Sequence, residues 1–200
     1  MAKAMREQFP VKVNADTIAA SATAAVKARG PAPVHLWNPP HCGDLDMRIA
    51  RDGTWFYEGS PINRPAMVKM FSNILRKDGD DYVLVTPVEK VGITVEDAPF
   101  ITEDFEVTGE GDTQVLTFET QVGDFTTAGP DAPIRVDIDP DTDEPAPYVT
   151  VRTNLEARIT RKAFYRLVEL GTHQDVKGQS MFGVMSSGVF FPFLPSEALD

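Results

Sequence analysis

Ile62-Asn63-Arg64-Pro65-Ala66-Met67-Val68-Lys69-Met70-Phe71 and Ile159-Thr160-Arg161-Lys162-Ala163-Phe164-Tyr165-Arg166-Leu167-Val168 are the two stretches that decide how this chain is read. In each, an apolar residue precedes a residue able to cap a helix, an Arg follows, and apolar residues then recur at helical spacing. The apolar residue ahead of the cap can staple onto the helix face. In the first copy Met67, Met70, Phe71 and Ile74 share one face, and Lys77 and Gly79 close the helix. Pro65 falls in the first turn, where its missing donor does no harm. In the second copy Ala163, Phe164, Leu167 and Val168 form the face, and Gly171 ends it.

Strand signals flank both copies. Residues 47–50 and 54–57 read as strands joined by the tight turn Asp52-Gly53. Residues 82–86 and 88–95 follow the first helix, broken at Pro87, which cannot sit in a central ladder. Pro99 opens a new run with strands expected at 105–108, 113–120 and 122–127. Beyond it lie the alternating Ile134, Val136 and Ile138, a strand near 148–151 and an apolar tail from 181 to 194. Strand, turn, strand, capped helix, strand therefore occurs twice. The expected fold class is α+β, built from duplicated helix-on-antiparallel-sheet units. The expected divisions are an N-terminal extension over 1–33, a first unit over 34–98 and a second over 99–200. The extension carries a helix over 14–29, with Asp16 as cap, a thin stripe of Ile18, Ala22, Ala25 and Val26, and Gly30-Pro31 as its stop. Residues 31–46 read as loop because of Pro31, Pro33, Pro39 and Pro40. No Gly-x-Gly-x-x-Gly motif and no steady strand–helix alternation occur, which excludes a dinucleotide-binding parallel sheet.

The chain has 200 residues and a net charge of −11. The acidity is local. Residues 89–144 hold 16 acids against Lys90 and Arg135, and the rest of the chain is net basic by 3. Overall acidity disfavours non-specific duplex binding, so nucleic acid is the weaker of the partner classes. One cysteine, Cys42, leaves no internal disulfide. No apolar stretch of about 18 residues exists to span a bilayer. The start of the chain lacks an apolar signal core followed by a cleavage site.

His41, Cys42, Asp44 and Asp46 lie close enough in sequence to suggest a metal or a Cys/His hydrolytic centre. Their spacing matches no closed zinc motif, so a structured loop with Cys42 buried as a small apolar group is the plainer expectation. Asp137, Asp139, Asp141 and Asp143 mimic the start of a calcium loop, but Thr142 stands where Gly is needed and Tyr148 where Glu is needed. An acidic hairpin tip fits better. Catalytic residues, metal and cofactor are therefore read as none. Arg64 and Arg161 stand at helix starts, where a cation gains nothing from the dipole. With Glu89, Lys90, Glu156 and Arg158 they form a polar set that core packing does not require. A carboxylate partner would account for the arginines. So would a bound anion, met by guanidinium and free helix N–H groups together.

Trp37-Asn38-Pro39-Pro40-His41-Cys42-Gly43-Asp44-Leu45-Asp46, then Asp52-Gly53-Thr54-Trp55 with Tyr57, Gly59, Pro61-Ile62 and Arg64, resemble the bacterial family called domain of unknown function 1285. Leu84-Val85-Thr86-Pro87 with Glu89-Lys90, Val95-Glu96-Asp97 with Pro99-Phe100, Glu156-Ala157-Arg158-Ile159 with Arg161 and Phe164-Tyr165, and Ser187-Gly188 with Phe190-Phe191 extend the match over about residues 34–193. The resemblance implies a cytoplasmic protein with a duplicated α+β arrangement, the second unit superficially like a pleckstrin-homology barrel. It brings no catalytic signature. It implies a role in signalling or in binding a partner at the interface of the two units, and the polar set makes that partner an unknown protein or a small anionic ligand. The competing readings are an enzyme using the His41–Asp46 stretch and a nucleic-acid-binding protein.

Overall fold

The computed structural model describes residues 14–25, 32–139 and 144–199. Helix α1 spans Ala15–Ala25. The first unit runs β1 (His41–Ile49), β2 (Trp55–Tyr57), β3 (Ser60–Pro61), α2 (Pro65–Asn73), β4 (Leu75–Asp78), β5 (Asp81–Val85) and β6 (Lys90–Val95). The second runs β7 (Phe100–Thr108), β8 (Val115–Thr120), β9 (Phe125–Thr127), β10 (Ile134–Ile138), β11 (Pro145–Arg152), β12 (Leu155–Ile159), α3 (Arg161–Glu169), β13 (Thr172–Val176), β14 (Gln179–Ser186) and β15 (Val189–Pro195). The protein is a mixed α+β fold of two similar units.

Each unit places two three-stranded meanders side by side in a six-stranded sheet. The orders are β3-β2-β1-β6-β5-β4 and β10-β11-β12-β7-β8-β9. The two meanders of each sheet meet along one parallel pair, β1 with β6 and β12 with β7, and the other pairings are antiparallel. In sequence order, a meander, a nine-residue helix and a second meander occur twice: β1–β3, α2, β4–β6, and β10–β12, α3, β13–β15. The last meander forms a separate three-stranded sheet. Phe71, Trp55, Met47, Ile49, Phe100, Phe118, Leu116 and Ile159 are among the largest fully buried side chains, and buried residues from both units join in one continuous cluster. The junction between the units is therefore partly apolar core.

Several local expectations are corrected. The helices begin at Pro65 and Arg161, so the matching positions lie one residue closer than the sequence echo suggests. Arg64 is the N-cap of α2, not a first-turn residue, and Asn63 does not cap. Arg161 is the first helical residue of α3, behind Thr160. Neither N-cap side chain bonds its helix. Asn14, not Asp16, caps α1: Thr17 N donates to Asn14 Oδ1 at 2.9 Å. The expected end of that helix, from Val26 to Pro31, lies outside the described residues, as do Asp141 and Asp143 of the acidic tip. The loop expected up to residue 46 already becomes strand at His41, because residues 41–49 pair with β6 across two register shifts. Gly43, at φ +103°, accommodates that irregular backbone, which L residues rarely adopt. Cys42 is exposed on this strand, not buried.

Candidate functional site

Helix α2 links the two units. The residues that enter it and its first turns, 62–69, face the Gly53–Trp55 turn of its own unit and the Gln121-Val122 tip of the β8–β9 hairpin. The open hollow between them is about 570 Å³. Its walls are mostly apolar: Trp55, Ile62, Pro65, Ala66, Val68 and Val122. The polar groups are Asn63, Lys69, Thr54 and Gln121. The hairpin tip is held in place by paired bonds, Gln121 N to Ile101 O at 2.9 Å and Ile101 N to Gln121 Oε1 at 2.7 Å.

Charge in this region is unbalanced. Lys69 Nζ donates to Asp124 Oδ1 at 2.6 Å, and Arg152 Nη2 lies 3.2 Å from Asp124 Oδ2. The same Arg152 nitrogen donates to the carbonyl of Ser72 in the first unit at 2.7 Å, and its guanidinium lies over the Phe100 ring. Burial pushes the Arg152 pKa down, against the pull of Asp124. Two cations thus share one carboxylate. The start of α2 adds to the positive side. Its N-cap makes no side-chain bond, no acid lies in its first turn, and Arg64 has no ion-pair partner among the described residues. Pro65 carries no N–H and Met67 N donates to Arg64 O at 2.9 Å, so the Ala66 N–H and the Arg64 guanidinium are what this helix end offers an anion.

The six polar residues of the sequence set are distributed over five places. Arg64 lines a second hollow against α1, with Ala15, Asp16, Tyr57 and Met67. Glu89 accepts a bond from Ser21 of α1 at 3.0 Å. Lys90 donates to Asp78 at 3.0 Å and shares a hollow in the first sheet with His41 and Asp44. Glu156 takes Arg135 through both oxygens, at 2.7 and 2.8 Å. Arg158 pairs with Asp97 and donates to the Tyr148 hydroxyl at 3.2 Å, and Arg161 pairs with Glu144. Arg158 and Arg161 do come together, in a hollow of about 350 Å³ with Phe164 and Tyr165.

Tyr148 stands between Asp97, Arg158 and Arg135. Its hydroxyl donates to Asp97 at 2.7 Å, and the Arg135 guanidinium stacks on its ring at 4.1 Å. Burial, then the Asp97 carboxylate, push its pKa up to about 12. Of the residues suggested for a metal, His41 Nε2 and Asp44 Oδ1 lie 3.5 Å apart. Among the described residues no group of three His, Cys, Asp or Glu side chains is placed to hold an ion. Lys69 and Asp124 were not singled out by sequence. Asp124 is one acid among 16 in its segment, and no spacing ties it to Lys69, which lies 55 positions away.

Two family models match the chain. The N-terminal domain of the domain of unknown function DUF1285 matches residues 32–98, and the C-terminal domain of that protein of unknown function matches residues 99–193. A crystal structure of a DUF1285 family protein from Silicibacter pomeroyi is similar at 61% identity and a TM-score of 0.83, covering 91% of this chain and 97% of that one. A DUF1285 family protein from Shewanella baltica is similar at 28% identity and a TM-score of 0.49, covering 62% of this chain and 91% of that one. No curated protein matches. No helix among the described residues is long and apolar enough to cross a membrane.

Proposed function

The chain belongs to the DUF1285 family, and from that premise we propose that it is a non-catalytic binding protein whose ligand is a small anion with an apolar body, held between its two units. The observation that carries this reading is the uncapped start of α2 opening on a hollow that both units line. The apolar walls suit a carbon skeleton. Lys69, the Ala66 N–H and Arg64, which lines the adjoining hollow that shares Ile62 and Asn63 with this one, suit a carboxylate or phosphate at one end. A ligand so placed touches both units and favours their observed arrangement, which is how binding there could be signalled onward.

The test is thermal unfolding of the purified protein with a panel of aliphatic and aromatic carboxylates and phosphate monoesters, followed by calorimetric titration of the members that raise Tm. Arg64→Ala and Lys69→Ala are each expected to weaken binding about tenfold, as for loss of one charge-assisted contact. Arg161→Ala, in a different hollow, should leave affinity unchanged. A panel in which no anion raises Tm, or affinity indifferent to both Arg64 and Lys69, overturns the reading.

A further inference from the structure

The outer face of the β7–β8–β9 meander is a second surface, on the other side of the hairpin that closes the inter-unit hollow. Cross-strand register places Glu119 opposite Phe125, Thr117 opposite Thr127 and Glu106 opposite Thr117, so these residues project from one side of the sheet. The Thr117 and Thr127 hydroxyls meet at 3.2 Å on that side. Phe125 is 67% exposed, although its strand neighbour Thr126 is buried. A register shift between Thr102 and Phe105 interrupts the alternation of β7, and both Glu103 and Asp104 come to lie exposed. The result is an open hollow of about 600 Å³ with Phe125 as its aromatic wall.

Three of the four acids lining this face are left uncompensated. Asp104 pairs with Arg166. Glu103, Glu106 and Glu119 have no cationic partner among the described residues. Sheet faces exposed only to water commonly pair opposite charges across strands. Here the cross-strand neighbours are Thr and Phe. Three unpaired carboxylates around an exposed ring form a receptor for a planar cation. A guanidinium can lie on the ring and donate in its own plane to a flanking carboxylate, which an ammonium does less well. The lopsided charge of residues 89–144 extends the same field beyond the hollow and draws a basic partner in.

We propose that the β7–β8–β9 face is a docking surface for a basic segment of a protein partner, with an arginine of that segment stacked on Phe125 and paired with Glu119. The occupant is an arginine-bearing peptide because the face joins an aromatic platform to several separated carboxylates. A single small cation engages one of them. A peptide reaches from Glu119 to Glu106 and the bulge at Glu103. The surface is separate from the anion hollow, and its occupant has the opposite charge.

The experiment titrates a labelled hexa-arginine peptide into the full chain by fluorescence anisotropy, with hexa-lysine and spermidine in parallel arms. Amide chemical-shift mapping locates the contact. Hexa-arginine is expected to bind more tightly than hexa-lysine, with shifts centred on residues 103–127. Affinity should fall about tenfold between low and moderate salt, as exposed charges are screened. Phe125→Ala and Glu119→Gln should each weaken binding about fivefold or more at unchanged Tm, since both side chains are exposed. Arg64→Ala should change nothing, which separates failure here from failure of the anion reading. Shifts spread evenly over the acidic surface, affinity indifferent to Phe125, or spermidine binding as well as hexa-arginine would each overturn the proposal.

Discussion

Lys69 Nζ meets Asp124 Oδ1 at 2.6 Å across the junction of the two units, one residue from the linking helix and the other from the β8–β9 hairpin. On its far side Asp124 faces Arg152, and Arg152 reaches back to the Ser72 carbonyl at the end of the same helix. This small circuit fastens the units where the shared core meets solvent.

Its members are unequal. Asp124→Asn removes the counter-charge of the largely buried Arg152, which is 18% exposed. A stability loss of about 2–4 kcal/mol is expected. Lys69→Met leaves Arg152 paired, and Lys69 is 38% exposed, so the loss should stay near 1 kcal/mol or less. Urea unfolding of both variants measures the contrast. Equal losses would show that Arg152 does not depend on Asp124.

Tyr148 sets an alkaline limit. Its folded-state pKa lies near 12 against an ordinary value of 10, so between those values the unfolded chain releases a proton that the folded chain keeps. The stabilisation from this group is complete below pH 10 and declines as pH rises towards 12. Tyr148→Phe should flatten that decline and cost about 1 kcal/mol at neutral pH through the lost bond to Asp97. Spectrophotometric titration should show a tyrosine component ionising near pH 12 that vanishes in the variant.

Asp78 acts at the opposite end of the pH scale. Arg76, through Nε and Nη2, and then Lys90 hold its carboxyl below the usual range. Its contribution is present above the ordinary carboxyl pKa and disappears as pH falls through the lowered one. Asp78→Asn should reduce stability at pH 7 and make the acid limb below about pH 4 less steep. Arg76 also donates to the carbonyls of Val34 and Trp37, at 2.8 and 2.6 Å. Arg76→Ala should therefore cost more than Asp78→Asn and expose the 34–40 segment to faster amide exchange.

Two strand glycines should respond very differently to alanine. A Cβ at Gly183 would sit 2.1 Å from the Phe191 carbonyl oxygen and 2.8 Å from Pro192 Cα, both backbone atoms of the paired strand β15. Gly183→Ala should lose about 3 kcal/mol or fail to fold. A Cβ at Gly92 meets Asp44 Oδ1 at 2.2 Å, but the Asp44 side chain is 86% exposed and free to swing away. Gly92→Ala should cost less than about 1 kcal/mol. Thermal melts of the two variants decide it.

The fold was readable to the extent that local periodicity and helix signals carry it. Met67, Met70 and Phe71 on one side, and Ala163, Phe164 and Leu167 on the other, announced two amphipathic helices, and the structure has both. Family membership was legible too, because its motifs are local strings of residues. The start of β1 was hidden. Pro39 and Pro40 signal a loop, while His41 to Asp46 become strand through pairing with a partner strand far along the chain. Thr160 was legible as the cap of α3, whereas the cap of α2 lies one residue past Asn63, at Arg64, a position that only backbone geometry decides.

The amino-acid sequence by itself determined the two helix-and-meander units, the local excess of negative charge and the arginines at the helix starts, because each is a property of residues near one another in the chain. Tertiary structure alone decided which charges meet. Arg158 found Asp97, Arg161 found Glu144, and Lys69 and Arg152 found Asp124, across separations no periodicity encodes. Ion pairing depends on the distance between side-chain ends after the core has closed. That distance is fixed by strand register and by the packing of α2 between the units, neither of which a charge pattern along the chain contains.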